Sequence, residues 1–227
     1  MTSEQEEALK PTFFINSNHA AIADRACALT DGSIDQIQIA ENLFYAVRDG
    51  FRYDPYNVAT EREAYRASNI LGLAATWCVP KSIVLTALAR AAGIPARLGF
   101  ADVRNHLTSE KLTKSMGTDL FAWHGYSELW LQGRWVKLST AFNKELCDRF
   151  GVKALEFDPV KGALMHPFDQ SGRRHMEYVR ERGSHLDLPL SDMLETFAEV
   201  YPGWPLGPNG ERTQSEAEPG LKDERFH

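Results

Sequence analysis

Two side chains in this 227-residue chain have the types and surroundings for nucleophilic chemistry, Cys78 and His124. Cys78 stands in "TWCVPKSIVLTALARAAGIPARLGF", residues 76–100, after a tryptophan and at the mouth of an apolar helix. A thiol there faces unpaired backbone N–H groups and the positive end of the helix dipole. Both favour a thiolate, and the same N–H groups can polarise a carbonyl oxygen. A thiolate used for acyl transfer needs a base, and His124 in "WHGYSELWLQGRWVKLST" is the natural partner.

The elements that must bring the two together are readable from pattern. Pro80 fits a first helical turn, Ile83, Val84, Leu88 and Ala91 form an apolar face, and Gly93 with Pro95 marks the stop. "ARLGFADV" then reads as a strand, and the histidine segment as a hairpin turning at Gln132–Gly133. In that register paired positions sum to 265, so Ser139 is the expected diagonal neighbour of His124 and faces Tyr126. Upstream, helices are expected after Asn18 (Ile22, Ala26, Leu29), after Ser33 with Gln36 (Ile37, Ala40, Leu43, Phe44, Val47, ending near Gly50), and after Thr60 with Glu63. Residues 103–122 read as a polar, lid-like loop and 148–188 show no clear element, while "PLSDMLETFAEVY" is a short amphipathic helix. Helices first and strands later define an α+β chain. The expected organisation is one domain over 1–205, with a core at 18–143, an extension at 144–205, and a disordered tail at 206–227.

Composition narrows the function classes. A formal charge of −6 with no basic stripe argues against nucleic acid. No apolar run approaches a membrane span, and the acidic start "MTSEQEEALKPTFF" does not read as a signal peptide. Three scattered cysteines make neither a disulfide framework nor a metal site, so a cytoplasmic protein with free thiols is expected.

A cysteine opening a helix, "ALARAAGIPARLGF" after it, and a histidine strand running into "GRWV" together resemble the transglutaminase-like superfamily. "AENLFYAVRDGFRYDP" and "RASNILGLAATWC" extend the likeness upstream, over roughly residues 20–143. The resemblance implies a papain-like cysteine fold, a central helix packed on an antiparallel sheet, Cys78 as nucleophile and His124 as general base. It also implies an aspartate after the second hairpin strand, where this sequence has Ser139 in "WVKLSTAFN". Serine can accept or donate a hydrogen bond but carries no charge to stabilise an imidazolium. Asn143 and Asp119 are the alternative orienting residues.

Around this pair, Trp77, Trp123 and Tyr126 are candidate walls of a substrate pocket. Glu128 reads as a solvated edge residue, Cys27 as buried and inert, and Cys147 as structural. His166, Asp169, His175 and His185 have ligand chemistry but not ligand spacing, so no metal or other cofactor is expected. The same segment, with Arg173 and Arg174, is a candidate source of polar groups at the site's mouth. The expected activity is cysteine-dependent acyl transfer or hydrolysis of an amide-type bond in a small molecule or short peptide. A scaffold that lost catalysis with its aspartate and persists as a binding module is the competing reading.

Overall fold

The computed structural model describes residues 1–59, 61–106, 110–164, 169–173 and 175–202. Helix α1 (Ser3–Glu7) opens on a capping box between Thr2 and Gln5. Helix α2 (Ala20–Thr30) is capped by His19 rather than Asn18. Helix α3 (Gln36–Gly50) is capped by Asp35, whose carboxylate accepts from Gln38 N at 2.9 Å. It buries Ala40, Leu43, Phe44 and Val47, the face its period predicts. Thr60, the expected cap of a third helix, lies outside the described residues. The chain there forms a 3₁₀ turn (Arg62–Tyr65) and a short α4 (Ala67–Ile70), with extended Arg66 between them. Strands β1 (Arg52–Tyr53) and β2 (Ala75–Thr76) pair in parallel and lead into α5 (Cys78–Ala91).

Helix α5 is the centre of the molecule. Residues 78–90 are all buried, so the helix has no solvent face at all. Helices α2, α3 and α4 pack on one side of it. On the other lies an antiparallel sheet of order β5-β4-β3-β6, built from β3 (Ala96–Asn105), β4 (Leu120–Leu131), β5 (Arg134–Leu138) and β6 (Met176–His185). Its stop is as the sequence indicates: Gly93 takes φ +79°, open to glycine at little cost, and the chain turns into β3. The β4–β5 hairpin turns at Gln132 and Gly133, both at positive φ, and all five pairs from Ser127↔Leu138 to Leu131↔Arg134 keep the expected register.

Besides α1 and the two short strands β1 and β2, three larger elements were not legible as such. Strand β6 lies in the stretch that showed no pattern, and joins the sheet beside β3. Helix α6 (Glu110–Met116) lies inside the segment read as a lid-like loop, whose two ends belong to β3, which runs to Asn105, and to β4, which starts at Leu120. Helix α7 (Lys144–Phe150) follows the hairpin and buries Cys147. Helix α8 (Leu190–Val200) is where the sequence puts it, with Met193 and Phe197 buried and Leu190 and Leu194 half-buried. No described helix is long and apolar enough to cross a membrane.

Because α5 is enclosed, its polar side chains must be satisfied from within. Ser82 Oγ donates to Val79 O at 2.7 Å, Thr86 Oγ1 to Ser127 Oγ at 3.1 Å, and Ser127 Oγ to Ser82 O at 3.0 Å. At the far end, buried Arg90 spans three carbonyls, of Ala96 (2.9 Å), Lys10 (2.6 Å) and Leu186 (2.7 Å). Arg90 thereby staples the N-terminal arm and the segment before α8 to the central helix. Replacing it with Met keeps the stem but leaves those carbonyls unsatisfied, which costs about 3 kcal/mol. Urea denaturation of Arg90→Met should show that loss, and a change below about 0.5 kcal/mol would contradict the stapling role.

Candidate active site

Cys78 is the first residue of α5, and the helix has no side-chain cap, since Trp77 occupies the capping position. The backbone N–H groups of Gly125 on β4, of Val79 and of Cys78 itself favour a thiolate at this position. Strand β5 pairs with β4 only over 127–131, which leaves the β4 edge open beside Gly125 for the mouth of α5. Gly125 is also where the two elements come closest. A Cβ there would lie 3.0 Å from Val79 Cα and from Ser82 Oγ. Any other residue would push the sheet off α5.

His124 is the residue before Gly125, where β4 comes closest to the first turn of α5. Its approach is set by a bulge. Ala101 pairs with His124 but Val103 pairs with Phe121, so β4 carries one extra residue across from Asp102. Trp123 absorbs the bulge at φ +58°, an unfavourable conformation for a bulky side chain. It is held there by buried Asp102, whose Oδ1 accepts from Trp123 N at 3.0 Å and from Arg182 Nε. The Arg182 guanidinium covers the Trp123 ring, 4.8 Å from its centroid. Asp102 escaped the sequence reading, although a lone acid inside the apolar run "LGFADV" is a signal that it faces a specific partner.

Burial decides the protonation state. It pushes the Cys78 thiol up to about 11, although the three N–H donors and the nearby Lys81 charge pull the other way. It pushes the His124 imidazole down to about 4. The helix mouth therefore does not yield a standing thiolate: desolvation outweighs it, and the pair rests as neutral thiol and neutral imidazole.

The orienting residue expected beside His124 is not in hydrogen-bond contact with it. The hairpin ladder stops at Leu138, and Ser139 N donates instead to Ala163 O at 2.7 Å. Ser139 Oγ, Thr140 Oγ1 and His124 Nε2 are all buried with no hydrogen-bond partner. Asn143 is committed elsewhere, its Oδ1 accepting from Tyr53 N at 3.1 Å. Asp119 is half exposed and pairs with Arg104 at 3.1 Å.

The aromatic walls are partly as expected. Trp77 packs between Tyr65 and Phe197, with centroids at 6.4 and 6.0 Å, so α8 covers the cysteine's neighbour. Tyr201 fixes α8 in place, its hydroxyl donating to Leu120 O at 2.9 Å and accepting from Ala122 N at 2.6 Å. Trp123 packs on Phe100 and His185. Tyr126 departs from the expectation. It lies directly across from Gly99, so close that a Cβ there would sit 2.1 Å from its ring, on the face opposite to Gly125 and Ser127, which meet α5. Tyr53 is the unforeseen neighbour: burial raises its phenol well above the ordinary range, with the Cys78 sulfur as the next contributor.

Other expectations are corrected. Glu128 is buried and paired with Arg97 at 2.6 Å and with Ser184 at 2.9 Å, rather than solvated. Cys27 is exposed, one position off the α2 stripe made by Ile22 and Ala26. Cys147 is buried as expected. His166 and Arg174 lie outside the described residues. Asp169 binds Arg173 at 2.7 Å, His175 stacks on Phe142, and His185 packs on Phe100. No metal-binding group occurs among the described residues.

A helix-borne cysteine set against a histidine-bearing antiparallel strand defines a cysteine-site α+β fold. The model of the transglutaminase-like superfamily matches residues 23–140, and the chain belongs to that superfamily. Among solved structures, the chain resembles "a Putative Cysteine Protease from Cytophaga hutchinsonii" at 14% identity and a TM-score of 0.49, covering 82% of this chain and 55% of that one. The chain thus spans about half the length of that protein. No curated protein matches.

The depressed histidine has a measurable consequence. Between its ordinary pKa near 6.5 and its folded value of about 4, the unfolded chain binds a proton that the folded one does not. Stability is therefore lost as pH falls through that window, by about 3 kcal/mol in total. Urea denaturation at pH 7, 5.5 and 4 should show this slope reduced by that amount in His124→Phe, and equal slopes in the two proteins would contradict a neutral buried His124.

Proposed function

We propose that this protein is a cysteine-dependent acyl-transfer or hydrolytic enzyme acting on an amide-type bond in a small molecule or short peptide. The observation that carries the reading is the close packing of Gly125, next to His124, against the first turn of the helix that Cys78 opens, in a member of the transglutaminase-like superfamily. In the first step Cys78 Sγ bonds to the carbonyl carbon while its proton passes to His124. The carbon–nitrogen bond breaks as His124 returns that proton to the departing amine, leaving a thioester. Water, or a second amine, then attacks the thioester carbon and gives a proton to His124. The carbon–sulfur bond breaks and the thiol regains its proton. The neutral resting pair supports a mechanism in which proton transfer accompanies attack.

The unpartnered Ser139 hydroxyl, at the position of the superfamily's aspartate, favours a second reading: a binding module that has lost the charge opposite its histidine. Acylation by p-nitrophenyl acetate, followed by peptide mass spectrometry, separates the two. The enzymatic reading expects a hydroxylamine-labile acetyl group on Cys78, absent in Cys78→Ala and formed about 10²–10⁴-fold more slowly in His124→Ala. Labelling confined to Cys27 and Cys147, with Ser139→Asp restoring reaction at Cys78, would establish the binding module instead.

A further inference from the structure

One buried charge beside the site has no part in that reaction. Lys81 lies one helical turn after Cys78 and is fully buried. Its Nζ donates three hydrogen bonds, all to main-chain carbonyls: Arg48 O at 2.8 Å, Phe51 O at 3.0 Å and Ala141 O at 3.0 Å. Every proton of the ammonium is thereby used. The acceptors come from two separate segments: Arg48 lies in the last turn of α3 and Phe51 is its C-cap, while Ala141 follows Ser139 and Thr140. No carboxylate bonds the ammonium in this set, so the charge is held by dipoles and its field is not cancelled at contact.

Resting on the reading of Cys78 as nucleophile, we propose that Lys81 is a positioning residue, an internal ammonium that ties the end of α3 and the segment after the hairpin to α5 and electrostatically favours the thiolate of Cys78. It supplies from the helix side part of the charge balance that the missing aspartate would supply from the histidine side. The charged and titratable groups facing it are Asp49 and Arg48 from α3, Cys147 from α7, and Cys78 on its own helix. Asp49 favours the ammonium and Arg48 opposes it, while desolvation dominates and brings Lys81 down to about 7. Below that pH the ammonium carries its charge and makes three bonds. Above it, a neutral amine has two protons for three carbonyls, and the support for the thiolate is gone.

The test is alkylation of the intact protein by iodoacetamide across pH 5.5–9, quantified at each cysteine, with exposed Cys27 as internal reference. It requires no acyl turnover, so it stands apart from the p-nitrophenyl acetate experiment: absent acylation with a normal Lys81 effect would sink the enzymatic reading and leave this one. The expected result is Cys78 labelling about tenfold slower in Lys81→Met than in wild type at pH 6, relative to Cys27, with the two converging above pH 8. A difference that persists undiminished above pH 8, or no difference, overturns the proposal. If Lys81→Met does not fold, wild-type protein carrying ¹⁵N-lysine and ¹³Cβ-cysteine is titrated by NMR. An inflection of the Cys78 Cβ signal where Lys81 Nζ loses its proton is expected. A Cys78 signal that is flat through that transition overturns the proposal.

Discussion

The enclosure of α5 on every side is the constraint from which the rest follows. A helix with no face in water must settle each of its polar groups inside the protein. Ser82 does so against Val79 O within the helix, Thr86 against Ser127 on β4, Arg90 against the carbonyls at its far end, and Lys81 against those at its near end. The first-turn amides receive no side-chain cap, and those of Val79 and Cys78 favour a thiolate there. The surroundings of Cys78 are thus what remains when a buried helix has satisfied everything else.

The same enclosure sets the chemistry. A helix mouth in water would lower a thiol's pKa, but here the lost hydration is larger than the gain from three N–H donors and one lysine. The imidazole responds in the opposite direction for the same reason. The left-handed Trp123, held by Asp102 and Arg182, stores backbone strain next to the histidine, where a change of backbone direction is needed.

Much of this was legible from the sequence, for reasons that lie in the backbone. Pro80, Gly93 and Pro95 carry their own conformational limits, so both ends of α5 could be read. The Gln132–Gly133 turn fixed a register that held in every pair it governs. What could not be read depends on distant partners. The bulge at Trp123 is held by Asp102 and by Arg182, 80 residues further on. Ser139 leaves the ladder because Ala163 takes its N–H. Strand β6 is an edge strand whose "EYVRERGS" is mostly exposed, so no apolar alternation marks it. The burial of Glu128 and the exposure of Cys27 turn on single positions, where local pattern gives no guide.

The segment matched by the superfamily ends at residue 140, yet the sheet does not end there. Strand β6 covers the outer edge of β3 along ten residues, and Asp187 beyond it accepts from the amides of Phe13 and Phe14 at 3.1 and 3.2 Å. The N-terminal arm and the C-terminal extension are therefore closed onto each other across the matched core. A truncation drawn at the family limits would strip the arm's anchor and bare a long apolar sheet edge, the kind of surface along which chains stack into aggregates. For anyone expressing this protein, the unit to preserve is set by strand pairing, not by the span of recognisable sequence.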